Sequence, residues 1–340
     1  MKEMDIGQMV SIHAEKTGFS GVVLLKEGNQ ILVEKAFGQA DRSNYLSNTL
    51  DTRFGIASGC KLFTAIAICQ LVEKGILSFD TKLSDCLDID FPHFDSEITI
   101  YHLLTHSSGI PDYFDEAVMD DFADLWKAVP MYTIKRLHDI LPLFQGQHMM
   151  FRPGKKFSYN NAGFIILGLV IEQQTGVEFT EYIEKNVFRT ANMMDSGYFE
   201  LDQLPAHTAI GYMDKENGTW TTNIYSLPIK GGSDGGAFIT AQDMMKLWDA
   251  LFAHKLLSES MTNALLTPYV CEEDEEYYGY GIWITKREGE IFKYHLMGYD
   301  PGVSFHSSVY PNSRVKLVIP SNKEKGPYGI TCEIEKLLSL

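Results

Sequence analysis

A serine and a lysine three residues apart, Ser58 and Lys61, are the first side chains whose types and spacing could do chemistry. At the start of a helix this spacing places both on one face, about 5–6 Å apart at Cβ. A serine hydroxyl becomes a good nucleophile when a base takes its proton, and a lysine whose pKa is lowered by burial is such a base. The apolar run 62–72 predicts a buried helix here, stopped by Gly75. The pair alone is a weak signal of acyl transfer.

The same stretch allows two other interpretations. Gly55 and Gly59 precede Lys61 as in a phosphate-binding loop, but that motif needs glycine just before the lysine and a hydroxyl just after it. This chain has Cys60 and Leu62 at those positions, so we discard that interpretation. Cys60 is also a rival nucleophile, although a thiol on a packed helix is more often a small core residue.

A second polar pair, Tyr159 and Asn161, follows a Pro-Gly turn and precedes another apolar helix. In an extended segment, residues two apart point the same way. A phenol near the cations Lys155 and Lys156 can act as a base or proton shuttle. Taken alone, the pattern is explained more simply by a tyrosine packed at a helix start.

Together these segments resemble the superfamily of serine β-lactamases and penicillin-binding proteins, in the branch of class C β-lactamases, DD-peptidases and related esterases. The S-x-x-K and Y-x-N motifs fall in that family's order. Residues 103–111 (LLTHSSGIP) and 231–237 (GGSDGGA) resemble its other recurring segments. The similarity runs from about residue 21 to residue 310, and four ordered matches are far more specific than one.

The resemblance implies a role for each matched residue. Ser58 is the acylated nucleophile and Lys61 accepts its proton, while Tyr159 protonates the leaving group and later activates water. Asn161 orients the substrate and the lysine. Backbone N–H groups of Ser58 and of a facing strand form the oxyanion hole, in which each donor contributes about 2.7–4 kcal/mol. No metal or organic cofactor is implied.

The family's third motif, Lys- or His-x-Gly on a strand facing the serine, is altered here. Anchoring on residues 298–302 (GYDPG) makes residues 296–298 (LMG) the matching triplet, so Leu296 stands at the cationic position. His295 lies one residue early, and on a regular strand that offset turns its side chain to the opposite face. A bulge would restore it.

The candidate substrate-binding residues are therefore Asn161, Gly298, Tyr299 and His295. The backbone N–H of Tyr299 is the expected second oxyanion donor, and it does not depend on the altered side chains. If His295 points away, recognition of a substrate carboxylate is in doubt, and with it strong β-lactamase or carboxypeptidase activity.

A histidine pair, His102 and His106, has the i, i+4 spacing of metal ligands on a helix. No third ligand with sensible spacing follows, and the turn at 107–109 would interrupt the helix. We therefore expect no metal site.

Apolar patterning and the resemblance predict an α/β (α+β) fold, an antiparallel sheet flanked by helices with a large helical insertion, like that of β-lactamases and DD-peptidases. Strands are expected at 20–26, 30–37, 279–285, 291–295, 303–310 and 314–320. The predicted division is a sheet domain from residues 1–78 and 221–340 and a mainly helical domain from 79–220. The active site should lie between the two.

The net charge of the chain limits the classes of partner that it can bind. The 340 residues hold 29 Lys and Arg against 45 Asp and Glu, a net charge of −16, which argues against a nucleic-acid binder or an anionic-membrane binder. The longest uncharged apolar stretch, 163–171, is about half of a membrane span. The acidic run 272–276 is expected to be a solvated loop. The expected partner is a small molecule (a β-lactam, a D-amino-acid peptide or an ester), and the oligomeric state is left open.

The amino-terminal residues 1–5 contain no apolar signal-peptide core, and the five cysteines form no CxxC pair. We expect a cytoplasmic protein with reduced thiols, or an exported one whose leader is absent from this chain. The main hypothesis is a serine hydrolase that forms an acyl-enzyme with an amide, lactam or ester carbonyl. The alternative is a non-hydrolytic or very slow penicillin- or peptidoglycan-binding module.

Overall fold

A computed structural model of the protein describes residues 5–115, 119, 122–127 and 129–340. Residues 1–4, on which the expectation about a leader partly rests, lie outside these ranges. The α-helices are α1 (Ile6–Thr17), α2 (Lys61–Glu73), α3 (Leu83–Cys86), α4 (Ile100–Leu104), α5 (Asn161–Thr175), α6 (Phe179–Ile183), α7 (Ala241–Phe252), α8 (Glu259–Leu265) and α9 (Pro327–Leu337). The strands before α5 are β1 (Gly21–Glu27), β2 (Gln30–Phe37), β3 (Gln39–Asp41), β4 (Leu46–Ser47) and β5 (Phe54–Gly55). Those after it are β6 (Tyr212–Asp214), β7 (Trp220–Thr222), β8 (Phe238–Ile239), β9 (Val270–Glu273), β10 (Glu276–Tyr278), β11 (Trp283–Arg287), β12 (Glu290–Asp300), β13 (Val303–Tyr310) and β14 (Val315–Ser321).

An eight-stranded antiparallel sheet joins the two ends of the chain in the order β2-β1-β14-β13-β12-β11-β10-β9. Every residue of β13 is buried, because helices cover both faces of the sheet at its centre. The predicted fold class, an antiparallel sheet flanked by helices, is confirmed.

Two hydrophobic cores lie on the two faces of this sheet. The smaller one packs α1 and α9 against one face, through residues such as Val10 and Ile330. The larger one surrounds α2, which is buried almost all round, and continues from Val22 in the sheet to Ile165 in α5. The sheet and the helical region therefore share one core, and the boundaries drawn at residues 78 and 220 stay predictions.

The sheet differs from the sequence expectation at its far edge. The acidic run 272–276 forms the tip of the β9–β10 hairpin rather than a plain loop. Charged side chains suit an edge strand, because they discourage pairing with another chain. The strand predicted at 279–285 begins only at Trp283, as β11, because residues 279–282 form a turn in which Gly281 has a φ of 66°. β12 runs to Asp300, five residues past the predicted end.

None of the helices in the described part of the chain combines the length and the apolar character that crossing a bilayer requires.

Candidate active site

Ser58 lies in a single 3-10 turn, Ala57–Cys60, that leads directly into α2. Lys61 is the first residue of α2, and its Nζ donates a hydrogen bond to Ser58 Oγ at 2.9 Å. Ala57 has a φ of 45°, a strained left-handed conformation for a residue with a side chain, just before the serine. Lys61 is buried, whereas Ser58 is half-buried and lines an open cavity. The serine is therefore accessible while its lysine is not.

The Lys61 ammonium has an acceptor for each of its three protons. Besides Ser58 Oγ, it donates to Asn161 Oδ1 at 2.8 Å and to the Asp234 carbonyl at 2.7 Å. Burial lowers the pKa of Lys61, but the nearby charges of Tyr159 and Asp234 raise it, and the net pKa lies above its ordinary value. The expectation of a lowered lysine pKa is therefore wrong, and the resting side chain is an ammonium.

Asn161 begins α5, and Asp112 fixes the orientation of its amide. Asp112 Oδ2 accepts from the Asn161 backbone N–H at 2.8 Å and from its Nδ2 at 3.2 Å, and Asp112 Oδ1 accepts from the Ala162 N–H at 3.0 Å. With Nδ2 so occupied, the Asn161 carbonyl oxygen faces Lys61. Burial raises the pKa of Asp112 to about 7.

Tyr159 precedes α5 by two residues and lies beside the lysine. Its ring centroid is 4.9 Å from Lys61 Nζ, and a side-chain hydrogen bond between the two residues helps to raise the pKa of Lys61. The ring also stacks on Trp283 of β11, with centroids 6.1 Å apart. The structure thus brings Ser58, Lys61, Tyr159 and Asn161 into one cluster.

Three polar residues around the lysine escaped sequence reasoning: the half-buried Asp112 and the buried Tyr113 and Asp234. The Tyr113 hydroxyl donates to Asp234 Oδ2, and burial raises the pKa of both groups. Their positions carried a signal, because Asp112 follows the recognised segment 103–111 and Asp234 lies inside the recognised segment 231–237.

The backbone of residues 231–237 is tightly packed. A Cβ on Gly231 would lie 2.4 Å from the Gly236 carbonyl oxygen. The segment also contacts the start of α2, where the Cys60 thiol donates to the Gly232 carbonyl at 3.7 Å. Cys60 is fully buried, and burial raises the pKa of its thiol to about 12. It is the core residue that the sequence favoured, and not a reactive thiolate.

Strand β12 passes directly over the nucleophile at Gly298. A Cβ there would lie 2.1 Å from the Ile56 carbonyl oxygen and 3.0 Å from the Ser58 backbone nitrogen. Tyr299, the next residue, lines the cavity, while its hydroxyl bonds to His306 on the other side of the sheet. Both residues therefore stand next to Ser58, and the assignment of the Tyr299 N–H as an oxyanion donor stays a prediction.

His295 does not reach the site. The β12–β13 register runs without interruption from Tyr294 to Asp300, so no bulge restores the side chain to the face of Gly298. His295 Nε2 instead lies 3.1 Å from Glu276 Oε2 and 3.2 Å from Thr285 Oγ1. The candidate role of His295 in substrate binding is therefore corrected.

Leu296, the residue predicted to stand at the family's cationic position, is buried in the larger core. The cavity that opens on Ser58 has a volume of about 1070 Å³. Its lining residues include the carboxylates Glu272, Asp300 and Glu324 and the cations Lys135, Arg136 and Lys230. The two histidines with metal-ligand spacing have separate hydrogen-bond partners. His102 Nδ1 lies 3.0 Å from Thr99 Oγ1, and His106 Nδ1 accepts from the Asn160 N–H.

Comparison with known proteins agrees with this architecture. The model of the family described as beta-lactamase matches residues 8–338. Penicillin-binding protein 4* of Bacillus subtilis (strain 168) is 30% identical over 328 residues, covering 92% of this chain and 70% of that protein. A crystal structure of a penicillin-binding protein from Bacillus halodurans is 58% identical, with a TM-score of 0.93 over 96% of this chain and 99% of that one. An octameric penicillin-binding protein homologue from Pyrococcus abyssi is 25% identical, with a TM-score of 0.85 over 100% of this chain and 78% of that one. The chain therefore belongs to the beta-lactamase family of serine hydrolases.

Proposed function

We propose that Ser58 carries out two-step acyl transfer in this protein. Its Oγ attacks a carbonyl carbon, the amine or alcohol leaves, and an ester between the acyl group and Ser58 remains. Water then attacks that ester, and the acid and the free serine are regenerated. The observation that carries this proposal is the buried Lys61 ammonium held between Ser58 Oγ, Asn161 Oδ1 and the Asp234 carbonyl.

The proton of Ser58 needs an acceptor as the new bond forms. Because Lys61 is already an ammonium, it can take this proton only while passing one of its own to a neighbour. We assign that neighbour as Tyr159, which accepts the proton as a phenolate and is the residue that contributes most to raising the pKa of Lys61. The phenol then gives the proton to the leaving nitrogen or oxygen. In the second step the same pair takes a proton from water and returns one to Ser58.

The substrate for which we propose rapid turnover is a small amide, lactam or ester without a carboxylate next to the scissile bond, whereas a penicillin, which has that carboxylate, should acylate Ser58 more slowly. The buried Leu296 provides no cation for such a carboxylate, and Asp300 of the same strand lines the cavity. The relative from Bacillus halodurans is described as a penicillin-binding protein. That similarity supports covalent capture of a β-lactam by this protein.

A comparison of two reagents tests the function. The protein and Ser58→Ala are incubated with a fluorescent penicillin and with a p-nitrophenyl ester. Turnover that disappears in Ser58→Ala supports the hydrolase. Stable labelling by penicillin without turnover of either reagent supports the alternative, a non-hydrolytic or very slow penicillin-binding module. Absence of both label and turnover in the unaltered protein contradicts the assignment of Ser58.

A reducing compartment is the location we propose. All five cysteines are free thiols, and Cys271 and Cys332 are exposed. Exposed thiols persist more readily where thioredoxin and glutathione keep them reduced. Fractionation of the source cells checks this, since recovery outside the cytoplasm contradicts it.

A further inference from the structure

His106 has no part in the two-step scheme, yet it lies against Tyr159. It follows α4 in a left-handed conformation, with a φ of 54°. The Ser107 N–H donates back to the His102 carbonyl at 2.9 Å, which closes the end of the helix. Glycine usually occupies this kind of helix-ending position, because a side chain there costs conformational energy. The chain places a histidine there instead.

The backbone and ring of His106 hold both neighbours of Tyr159. Its Nδ1 accepts from the Asn160 N–H at 3.1 Å, and its carbonyl accepts from the Ser158 N–H at 2.8 Å. The imidazole is buried, with its centroid 4.3 Å from the Tyr159 ring and 4.7 Å from the Tyr278 ring. The residues on either side of Tyr159 are therefore held by hydrogen bonds to His106, and the Tyr159 ring packs against the His106 imidazole.

The imidazole is neutral, because burial and the nearby Lys61 charge lower its pKa well below the ordinary value. Since Nδ1 is the acceptor, the proton is on Nε2. Among the described residues, Nε2 has no hydrogen-bond partner. A buried donor without an acceptor costs stability, as does the left-handed backbone of His106. A residue that is costly in two ways at an active site points to a functional use.

We propose that His106 is a positioning residue that holds the Tyr159 phenol in place beside Lys61. The ring packing and the two backbone hydrogen bonds set where the phenol oxygen lies relative to the ammonium. The inference rests on the proposed function, because the position of Tyr159 matters for rate only if that residue transfers protons.

Two variants measure the effect. His106→Ala removes the ring and the hydrogen-bond acceptor, so the Tyr159 phenol is no longer held in place. We expect kcat to fall about 10- to 100-fold with little change in KM, because small misplacements of a catalytic group are costly. His106→Asn places an acceptor oxygen near the position of the lost Nδ1, and asparagine tolerates the left-handed backbone. This variant should therefore recover part of the lost kcat. The exposed His93, which does not line the cavity, provides the control His93→Asn, with unchanged kcat. Thermal unfolding of each variant confirms that it is folded at the assay temperature.

The deciding experiment repeats both substitutions in a Tyr159→Phe background. Acylation by fluorescent penicillin is followed to half-completion, so that slow variants can be measured. If His106 acts through the phenol, neither substitution slows Tyr159→Phe further. An equal loss in both backgrounds, or an unchanged kcat in folded His106→Asn and His106→Ala, contradicts the inference. If the unaltered protein shows no Ser58-dependent reaction, the proposed function itself has failed, which is a separate outcome.

Discussion

Lys61 Nζ and Asn161 Oδ1 lie 2.8 Å apart although 100 residues separate them in the chain. Each residue begins a long buried helix, α2 and α5, and both helices are packed in the larger core. The site therefore forms where two rigid elements start, and its geometry is fixed by the core rather than by flexible loops.

Asp112 should support catalysis through Asn161. In Asp112→Asn an NH₂ group replaces one carboxylate oxygen, so the amide of Asn161 loses its fixed orientation towards Lys61. We expect kcat to fall about 10-fold or more, because small misplacements of positioned groups are costly. Asp139→Asn is the matched control, since Asp139 also accepts two backbone N–H groups, those of Lys135 and Arg136, but does not bond to Asn161. Equal activity of the two folded variants would contradict this role.

The same carboxyl should make stability depend on pH. Asp112 ionises near its ordinary 3.8 when the chain is unfolded and at about 7 in the folded protein. Between those values the folded chain holds a proton that the unfolded chain has released, so the stability falls as pH rises. The full effect is at most about 4 kcal/mol.

Urea unfolding of the protein and Asp112→Asn measures this contribution at about pH 5 and about pH 8. The variant lacks the titrating group. The free energy of unfolding of the unaltered protein, relative to that of the variant, should therefore be larger at the lower pH. A difference that is the same at both pH values, or larger at the higher one, rules out a raised pKa for Asp112.

Substitutions of His295 and of Gly298 should differ sharply in their effect on kcat/KM. His295 bonds to Glu276 on the face away from Ser58, so His295→Ala should leave kcat/KM within about threefold. Gly298→Ala would drive a methyl group against the Ile56 carbonyl and the Ser58 backbone, and we expect about a 100-fold loss. Steady-state kinetics with the ester checks both, and a large loss in folded His295→Ala is the contrary result.

Cys60 should be dispensable for chemistry despite its place between Ser58 and Lys61. Its thiol is buried and protonated, so Cys60→Ser should keep kcat within about threefold at some cost in stability. Loss of activity in a folded Cys60→Ser protein would make the thiol, rather than Ser58, the candidate nucleophile.

Local patterns made much of this protein predictable from its sequence. The buried helix after Ser58, the apolar α5 and the strand Gly21–Glu27 all follow from apolar runs with clear stop signals. The motif residues Ser58 and Tyr159 were also found, because their spacing is local.

What the sequence could not show depends on distant segments meeting. Asp112, Tyr113 and Asp234 gain their roles only when the fold places them around Lys61. The pKa of Lys61 illustrates this, since burial alone predicts a decrease and the charges of Tyr159 and Asp234 reverse it. The β9–β10 hairpin was missed because an edge strand with acidic side chains has the composition of a loop.

The most direct test of the central claim is the mass of the covalent adduct. The protein is mixed with a penicillin, quenched in acid and digested, and the peptide that contains Ser58 is analysed by mass spectrometry. We predict that this peptide gains the full mass of the penicillin on Ser58, and that Ser58→Ala shows no adduct while Cys60→Ser retains it. An adduct on Cys60 or on another residue, or one that persists in Ser58→Ala, would contradict the assignment of Ser58 as the nucleophile.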